Sequence, residues 1–326
     1  MSTEAAPVID LAAFENGSSH IRAAIAKSVD DACRTTGFLA ITHHGVAPHV
    51  IDNMWTTMQQ FFDLPVETKN LSRVPSPGYP YGYMGNEAET LAASRGDATP
   101  PDLKETFNGG PTHIPKHITD KTALDFCYAQ TPWPTQPISF TTAWSNYYNE
   151  MESLATRIMR LFAVALHLDE NFFDSYISSP ISALRALNYP PQQHAPKPGQ
   201  LRAGAHSDYG SLTILLPQSD SRGLEIQRLD NSWQEVLPIP DAFIINIGDL
   251  MARWTNNRWR STLHRVVNPD QQHDPTSRRQ SIAYFHQPNW DATITTINTC
   301  LQPGEQSAFE PVDSGPYLMS KFTSTV

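Results

Sequence analysis

The sequence predicts a mainly β protein with packed helices, in which a helical first half leads into an antiparallel sandwich or barrel. Three observations carry that reading. Apolar residues recur at helical spacing between His20 and Gly37 and again after Pro48. The stretch from Pro75 to Pro137 is too dense in proline and glycine for long regular elements. Beyond residue 180 the pattern alternates in short runs separated by turns.

The elements follow in order. Ile21, Ile25, Val29 and Cys33 repeat every fourth residue and line one face of a helix, and Gly37 suits its left-handed C-terminal cap. "FLAIT" then reads as a short buried strand. Val50, Met54, Met58, Phe61 and Phe62 mark a second helix between Pro48 and Pro65. In the irregular stretch, Tyr79, Tyr81 and Tyr83, with Arg95 and Lys104 beyond, fit a substrate lid and fit turn packing and solvated charge equally well. The longest helical stripe runs from Trp144 through Tyr147, Met151, Leu154, Ile158 and Phe162 to Ala165, as in a helix packed behind a sheet. "SALRALNY", "SLTILL", "GLEIQRL", "WQEVLPI", "AFIINIG", "LHRVVN" and "SIAYF" read as strands, with turns at Asp220 to Gly223 and Asp230 to Ser232.

Composition narrows the partners. The 326 residues carry 33 acidic and 23 basic side chains, a net charge of −10, without a basic block. That leaves nucleic acid and anionic membrane without an electrostatic footprint and favours a small-molecule substrate. Cys33, Cys127 and Cys300 form no C-x-x-C pair, which argues against a disulfide framework or a thiolate zinc site and fits a reducing cytoplasm. The start lacks a signal-peptide pattern, and no run approaches the roughly 20 apolar residues of a membrane span.

Two His-x-Asp pairs occur, and with 12 histidines and 20 aspartates in the chain about 0.7 would arise by chance, so position must separate them. His167 and Asp169 fall at the end of the long helical stripe, where i and i+2 diverge, and Asp169 resembles the N-cap of the next turn. His206 and Asp208 follow strand-like sequence, where i and i+2 share a face and reach one ion together. His264, apolar-flanked and far enough along for antiparallel strands to return, is the leading third ligand. For any single histidine, a hydrogen-bonded core residue is the plainer alternative. Two histidines and one carboxylate on one side of a six-coordinate ion leave three positions vacant and favour Fe(II), with zinc left open by the donor set.

In "SRRQSIAYF" a strand places Arg279, Ser281, Ala283 and Phe285 on one face and Arg278 on the other. The arginine fork and the serine hydroxyl together make a carboxylate receptor, although a surface arginine beside a serine has the same spelling.

The ordered motifs "PVIDLA", "GFLAITHHGV", "DLKETF", "LNYPP", "GAHSDYGSLTILL", "INIGDLMARWTNNRWRSTLHRVV" and "RRQSIAYF" cover nearly the full length. In them the chain resembles the iron and 2-oxoglutarate dependent dioxygenases of the isopenicillin N synthase-like group. The resemblance implies a double-stranded β-helix (jelly roll) core over residues 181–300, an N-terminal helical region over 1–180 in the same fold, and a C-terminal segment over 301–326. It implies His206, Asp208 and His264 as iron ligands, Arg279 and Ser281 as the site for the distal carboxylate of 2-oxoglutarate, and Tyr189 as a support for that cosubstrate. Leu187 stands where plant members often carry an asparagine. "NIGD" is implied to be a structural turn. The implied reaction consumes O2 and 2-oxoglutarate and releases succinate and CO2, most often with hydroxylation of a small organic substrate, desaturation and cyclisation being further options. An oxidase of the same fold that uses no 2-oxoglutarate and a noncatalytic metal-binding or ligand-binding barrel are the rival readings.

Overall fold

Strands buried along their whole length, such as Phe243–Ile247, belong to a sheet covered on both faces. The computed structural model describes residues 5–192, 194–219, 221–269 and 277–323. Its strands are β1 (Val8–Asp10), β2 (Phe38–Thr42), β3 (Gly82–Met84), β4 (Glu105–Gly109), β5 (Ala183–Tyr189), β6 (Ala203–His206), β7 (Leu212–Pro217), β8 (Leu224–Gln227), β9 (Trp233–Glu235), β10 (Phe243–Ile247), β11 (His264–Val266), β12 (Arg279–His286), β13 (Thr293–Ile294) and β14 (Val312–Asp313). The helices are α1 (Leu11–Asn16), α2 (Ser19–Thr35), α3 (Pro48–Phe62), α4 (Val66–Lys69), α5 (Lys121–Phe126), α6 (Phe140–Ala165), α7 (Asp249–Trp254) and α8 (Ser314–Thr323).

An eight-stranded sheet runs β1-β2-β10-β7-β12-β5-β4-β3, and a four-stranded sheet runs β6-β11-β8-β9. Pairing is antiparallel except between β1 and β2. Alternation sorts the large sheet into two faces. Leu39, Ile41, Leu184, Ile214, Ile282 and Tyr284 share one core with α6. Phe38, Ala40, Tyr189, Ile244 and Ala283 turn the other way and pack with Ala203, Leu224, Ile226 and Val266 of the small sheet. This second layer surrounds the space between the sheets, the jelly-roll interior. The 26-residue α6 is buried on most sides because α2 and α3 cover the face turned away from the sheet.

The helical start is present, with one correction to its stripe: Val29 and Cys33 are fully buried, but Ile21 is 44% exposed because α2 meets α6 only farther along. Gly37 ends α2 at φ +69, and a Cβ there would sit 2.3 Å from the Arg260 carbonyl oxygen, so no other residue fits without displacing that segment. The irregular stretch holds two strands, β3 and β4, which extend the large sheet at one edge. They are three and five residues long, too short for periodicity to stand out among the prolines. A turn forms at Asp230, whose Oδ1 accepts from the Ser232 amide at 3.0 Å, whereas Asp220 of the other expected turn lies outside the described residues. Among the described residues no helix is long and apolar enough to cross a membrane.

Candidate active site

Backbone pairing in the small sheet brings two histidines together. His206 ends β6, His264 begins β11, and they are cross-strand partners with ring centroids 4.3 Å apart. Asp208 follows two residues beyond β6, and its Oδ1 lies 3.9 Å from His206 Nε2 and 3.8 Å from His264 Nε2. One ligand atom from each of the three lies within 4.8 Å of the others. His167 and Asp169 make no such cluster: His167 has φ +60 after α6, and Asp169 Oδ1 accepts from the Asn171 amide at 2.9 Å in a local turn.

Each group is oriented by a partner outside the cluster. His206 Nδ1 donates to the Gly204 carbonyl at 2.8 Å and His264 Nδ1 to the Thr262 carbonyl at 3.1 Å. A carbonyl only accepts, so each Nδ1 carries a proton and each Nε2 faces Asp208. Asp208 Oδ2 accepts from Thr213 Oγ1 at 2.5 Å and Asn246 Nδ2 at 2.7 Å, which leaves Oδ1 for the cluster. Thr213 and Asn246 are themselves cross-strand partners on β7 and β10. Burial opposes the charge on Asp208, but His264, His206 and these two hydrogen bonds outweigh it and hold its pKa below the usual value. Burial, with His264 second, pushes the His206 pKa down to about 3, so its imidazole is neutral and ready to bind metal. Two imidazoles and one carboxylate converging on one point suit a divalent first-row ion.

Arg279 opens β12 opposite Tyr189 on β5, with its guanidinium carbon 5.0 Å from the centre of the Tyr189 ring. Its Nη1 donates to Ser281 Oγ at 3.4 Å, its Nε has no partner among the described residues, and burial lowers its pKa. Among the described residues this buried guanidinium meets no carboxylate, an arrangement that fits an incoming one. Leu187 stands opposite Ser281 and presents an apolar surface there. Tyr189, Arg279, Ser281 and the His-Asp-His cluster all line one cavity of about 210 Å³.

Four functional side chains escaped the sequence reading or were misread. Asn246, placed in a structural turn, instead orients Asp208 from β10, while Gly248 and Asp249 beyond it do turn the chain into α7. Its burial within "FIINI" was the available signal, since a buried amide needs a partner. Lys104 is no solvated lid residue: it is 2% exposed, donates to Asp102 Oδ2 at 2.7 Å and lies 3.2 Å from Glu89. Asp102 Oδ1 in turn accepts from the Gly204 amide at 2.9 Å, behind the carbonyl that holds His206. Arg185, on β5, meets Glu89 through two contacts of 3.2 Å and lines the cavity. Of the three tyrosines, Tyr81 lines the cavity, Tyr83 packs in the outer core, and Tyr79 bonds the Gln130 carbonyl at 2.6 Å. Arg95 is paired at the surface with Asp97.

The comparisons with known proteins bear on the whole chain. Residues 6–136 match the family model for the N-terminal part of the non-haem dioxygenases of morphine synthesis, and residues 180–288 match the 2OG-Fe(II) oxygenase superfamily. Homoarginine-6-hydroxylase of Oryza sativa subsp. japonica is 30% identical over 302 residues, which cover 91% of this chain and 88% of that protein. The chain belongs to the 2-oxoglutarate and Fe(II) dependent oxygenases. Validamycin A dioxygenase of Streptomyces hygroscopicus subsp. limoneus is 30% identical over 299 residues, covering 90% of this oxygenase and 80% of that protein. A full-length Neurospora crassa protein, crystallised in complex with alpha-KG and thymine, matches with a TM-score of 0.85 at 29% identity, over 99% of this chain and 98% of that one. The enzyme is therefore a non-haem dioxygenase of the isopenicillin N synthase-like superfamily, with Fe(II) as its metal and 2-oxoglutarate and O2 as cosubstrates.

Proposed function

We propose that His206, Asp208 and His264 hold the iron, that Arg279 and Ser281 grip the distal carboxylate of 2-oxoglutarate with Tyr189 beneath the guanidinium, and that the enzyme hydroxylates a small organic molecule. When bound, iron and 2-oxoglutarate supply an oxidative decarboxylation that yields succinate and CO2 and oxidises the substrate. The chain's own contribution is placement. The Gly204 and Thr262 carbonyls fix both imidazole tautomers, Thr213 and Asn246 fix the carboxylate, and the cavity walls exclude water around them. The convergence of Asp208 Oδ1 on both Nε2 atoms, at 3.9 and 3.8 Å, carries this reading. A small-molecule substrate is supported by the thymine complex of the Neurospora crassa protein, and a reducing cytoplasm by three buried, free cysteines. We treat the chain as one catalytic unit, because β1 to β4 of the first half complete the sheet formed by the second.

Anaerobic Fe(II) followed by 2-oxoglutarate should produce a visible charge-transfer band in the wild type and none in Asp208→Ala. An undiminished band in that variant would overturn the ligand assignment. Stoichiometric succinate release with product mass identifies the substrate, and substrate oxidation without succinate would point to an oxidase that dispenses with 2-oxoglutarate.

A further inference from the structure

The cavity has a second polar wall, and we propose that it is a subsite for an uncharged, flat molecule that presents a carbonyl beside an N–H or O–H group. The inference rests on the oxygenase reading above and adds the substrate class. Asn108 on β4, Arg185 on β5 and Ala283 on β12 are successive cross-strand partners. Arg185 lies four residues from Tyr189 along β5 and so shares its face, about 13 Å away at roughly 3.3 Å per residue. The wall is thus separate from the Arg279 anchor.

Charge decides the first property of the ligand. Among the described residues lining the cavity, Asp208 and the two imidazoles belong to the metal and Arg279 to the cosubstrate carboxylate. That leaves Arg185 and Glu89, which already neutralise one another through two 3.2 Å contacts. Glu89 stays ionised: burial opposes its charge, but Arg185 and then Lys104 hold its pKa down at about 2. A carboxylate substrate would have to displace Glu89, and an ammonium would meet the guanidinium.

Hydrogen bonding decides the second. Arginine carries five N–H donors, and Glu89 takes two of those on Arg185, so donors remain for a ligand carbonyl. Asn108 Oδ1 and Gln287 Oε1 are buried with no partner among the described residues, in cavity-lining residues that are 4% and 3% exposed. A buried amide oxygen is costly to leave unpaired, and an N–H or O–H on the ligand satisfies it. The flat surface is Phe285, whose ring centre lies 5.7 Å from the Arg185 guanidinium carbon, with Phe126 and Phe322 from α5 and α8 also lining the space.

The test uses anaerobic holoenzyme with Fe(II), first titrated with 2-oxoglutarate and then, by calorimetry, with 2-pyridone, benzoate or benzylamine. We expect 2-pyridone to bind at least about 10-fold more tightly than either charged probe. Arg185→Lys, which keeps the charge and loses the fork, and Asn108→Leu should each weaken 2-pyridone by about 10-fold and leave 2-oxoglutarate affinity unchanged. A Gln287→Leu variant repeats the measurement should either of these fail to fold. Benzoate or benzylamine binding as tightly as 2-pyridone, no binding of 2-pyridone at millimolar concentration, or folded variants with wild-type affinity for it would each overturn the subsite. Failure of 2-oxoglutarate to bind in the first titration would instead strike the oxygenase reading, before any probe is added.

Discussion

Arg279 and Arg185 stand on neighbouring strands, on the same face of one sheet and in the wall of one cavity. Arg185 meets Glu89 with two nitrogens, whereas Arg279 has, among the described residues, a serine, a tyrosine ring and an unpartnered Nε. A guanidinium cannot shed its proton, so a buried one must find an anion or carry the cost of lacking it. Among the described residues the fold supplies an anion at Arg185 and none at Arg279. The 2-oxoglutarate carboxylate proposed to bind Arg279 would bring that charge.

Removing Arg279 is the strongest way to break the contrast. Arg279→Leu should weaken 2-oxoglutarate by about 10²-fold or more, the usual scale for losing one partner of a buried charge pair. Its melting temperature should hold or rise, because a cation without a counter-charge leaves the interior. Unchanged 2-oxoglutarate affinity, or a marked fall in melting temperature, would mean that this arginine is structural after all.

The opposite outcome is expected at Arg185. Arg185→Leu strands Glu89 with Lys104 alone and should lower stability by about 2 kcal/mol, between the values for exposed and fully buried pairs because both side chains keep some exposure. Glu89→Leu combined with Arg185→Leu should recover most of that loss in denaturant titrations. If the double variant is no more stable than Arg185→Leu, the pair is not what Arg185 was stabilising.

This contrast also marks what the sequence can and cannot disclose. Alternation in "RRQSIAYF" separates Arg279 and Ser281, which line the cavity, from Arg278, which pairs outside with Asp63 and Asn188. His206 and Asp208 share a face for the same reason, and an even period is all that argument needs. The partner of Arg185 was invisible because Glu89 lies 96 residues earlier, in a segment with no period to read. Lys104 and Asp102 were hidden in the same way, since nothing local tells a buried ion pair from solvated charge. Asn246 was legible in principle: it shares a strand face with Ile244, so one polar residue inside a wholly buried run required a partner on that side.

His286 completes the series, because it is buried and basic yet able to do what neither arginine can. Burial pushes its pKa down to about 3 from an ordinary 6.5, and its Nδ1 lies 2.6 Å from Ser211 Oγ. The folded chain therefore keeps His286 neutral down to about pH 3, while the unfolded chain protonates it below about pH 6.5. Unfolding takes up a proton between those limits, so this residue's share of stability is intact above pH 6.5 and is lost as the pH falls towards 3. His286→Gln should cost only about 1 kcal/mol at pH 7, for the altered bond to Ser211, and should make stability fall less steeply between pH 6 and 4. His206 contributes in the same direction, so the slope should shrink without vanishing. Denaturant titrations of both proteins across that range decide the matter: equal slopes would show that His286 is already protonated in the fold, which would place an unrecognised anion beside it.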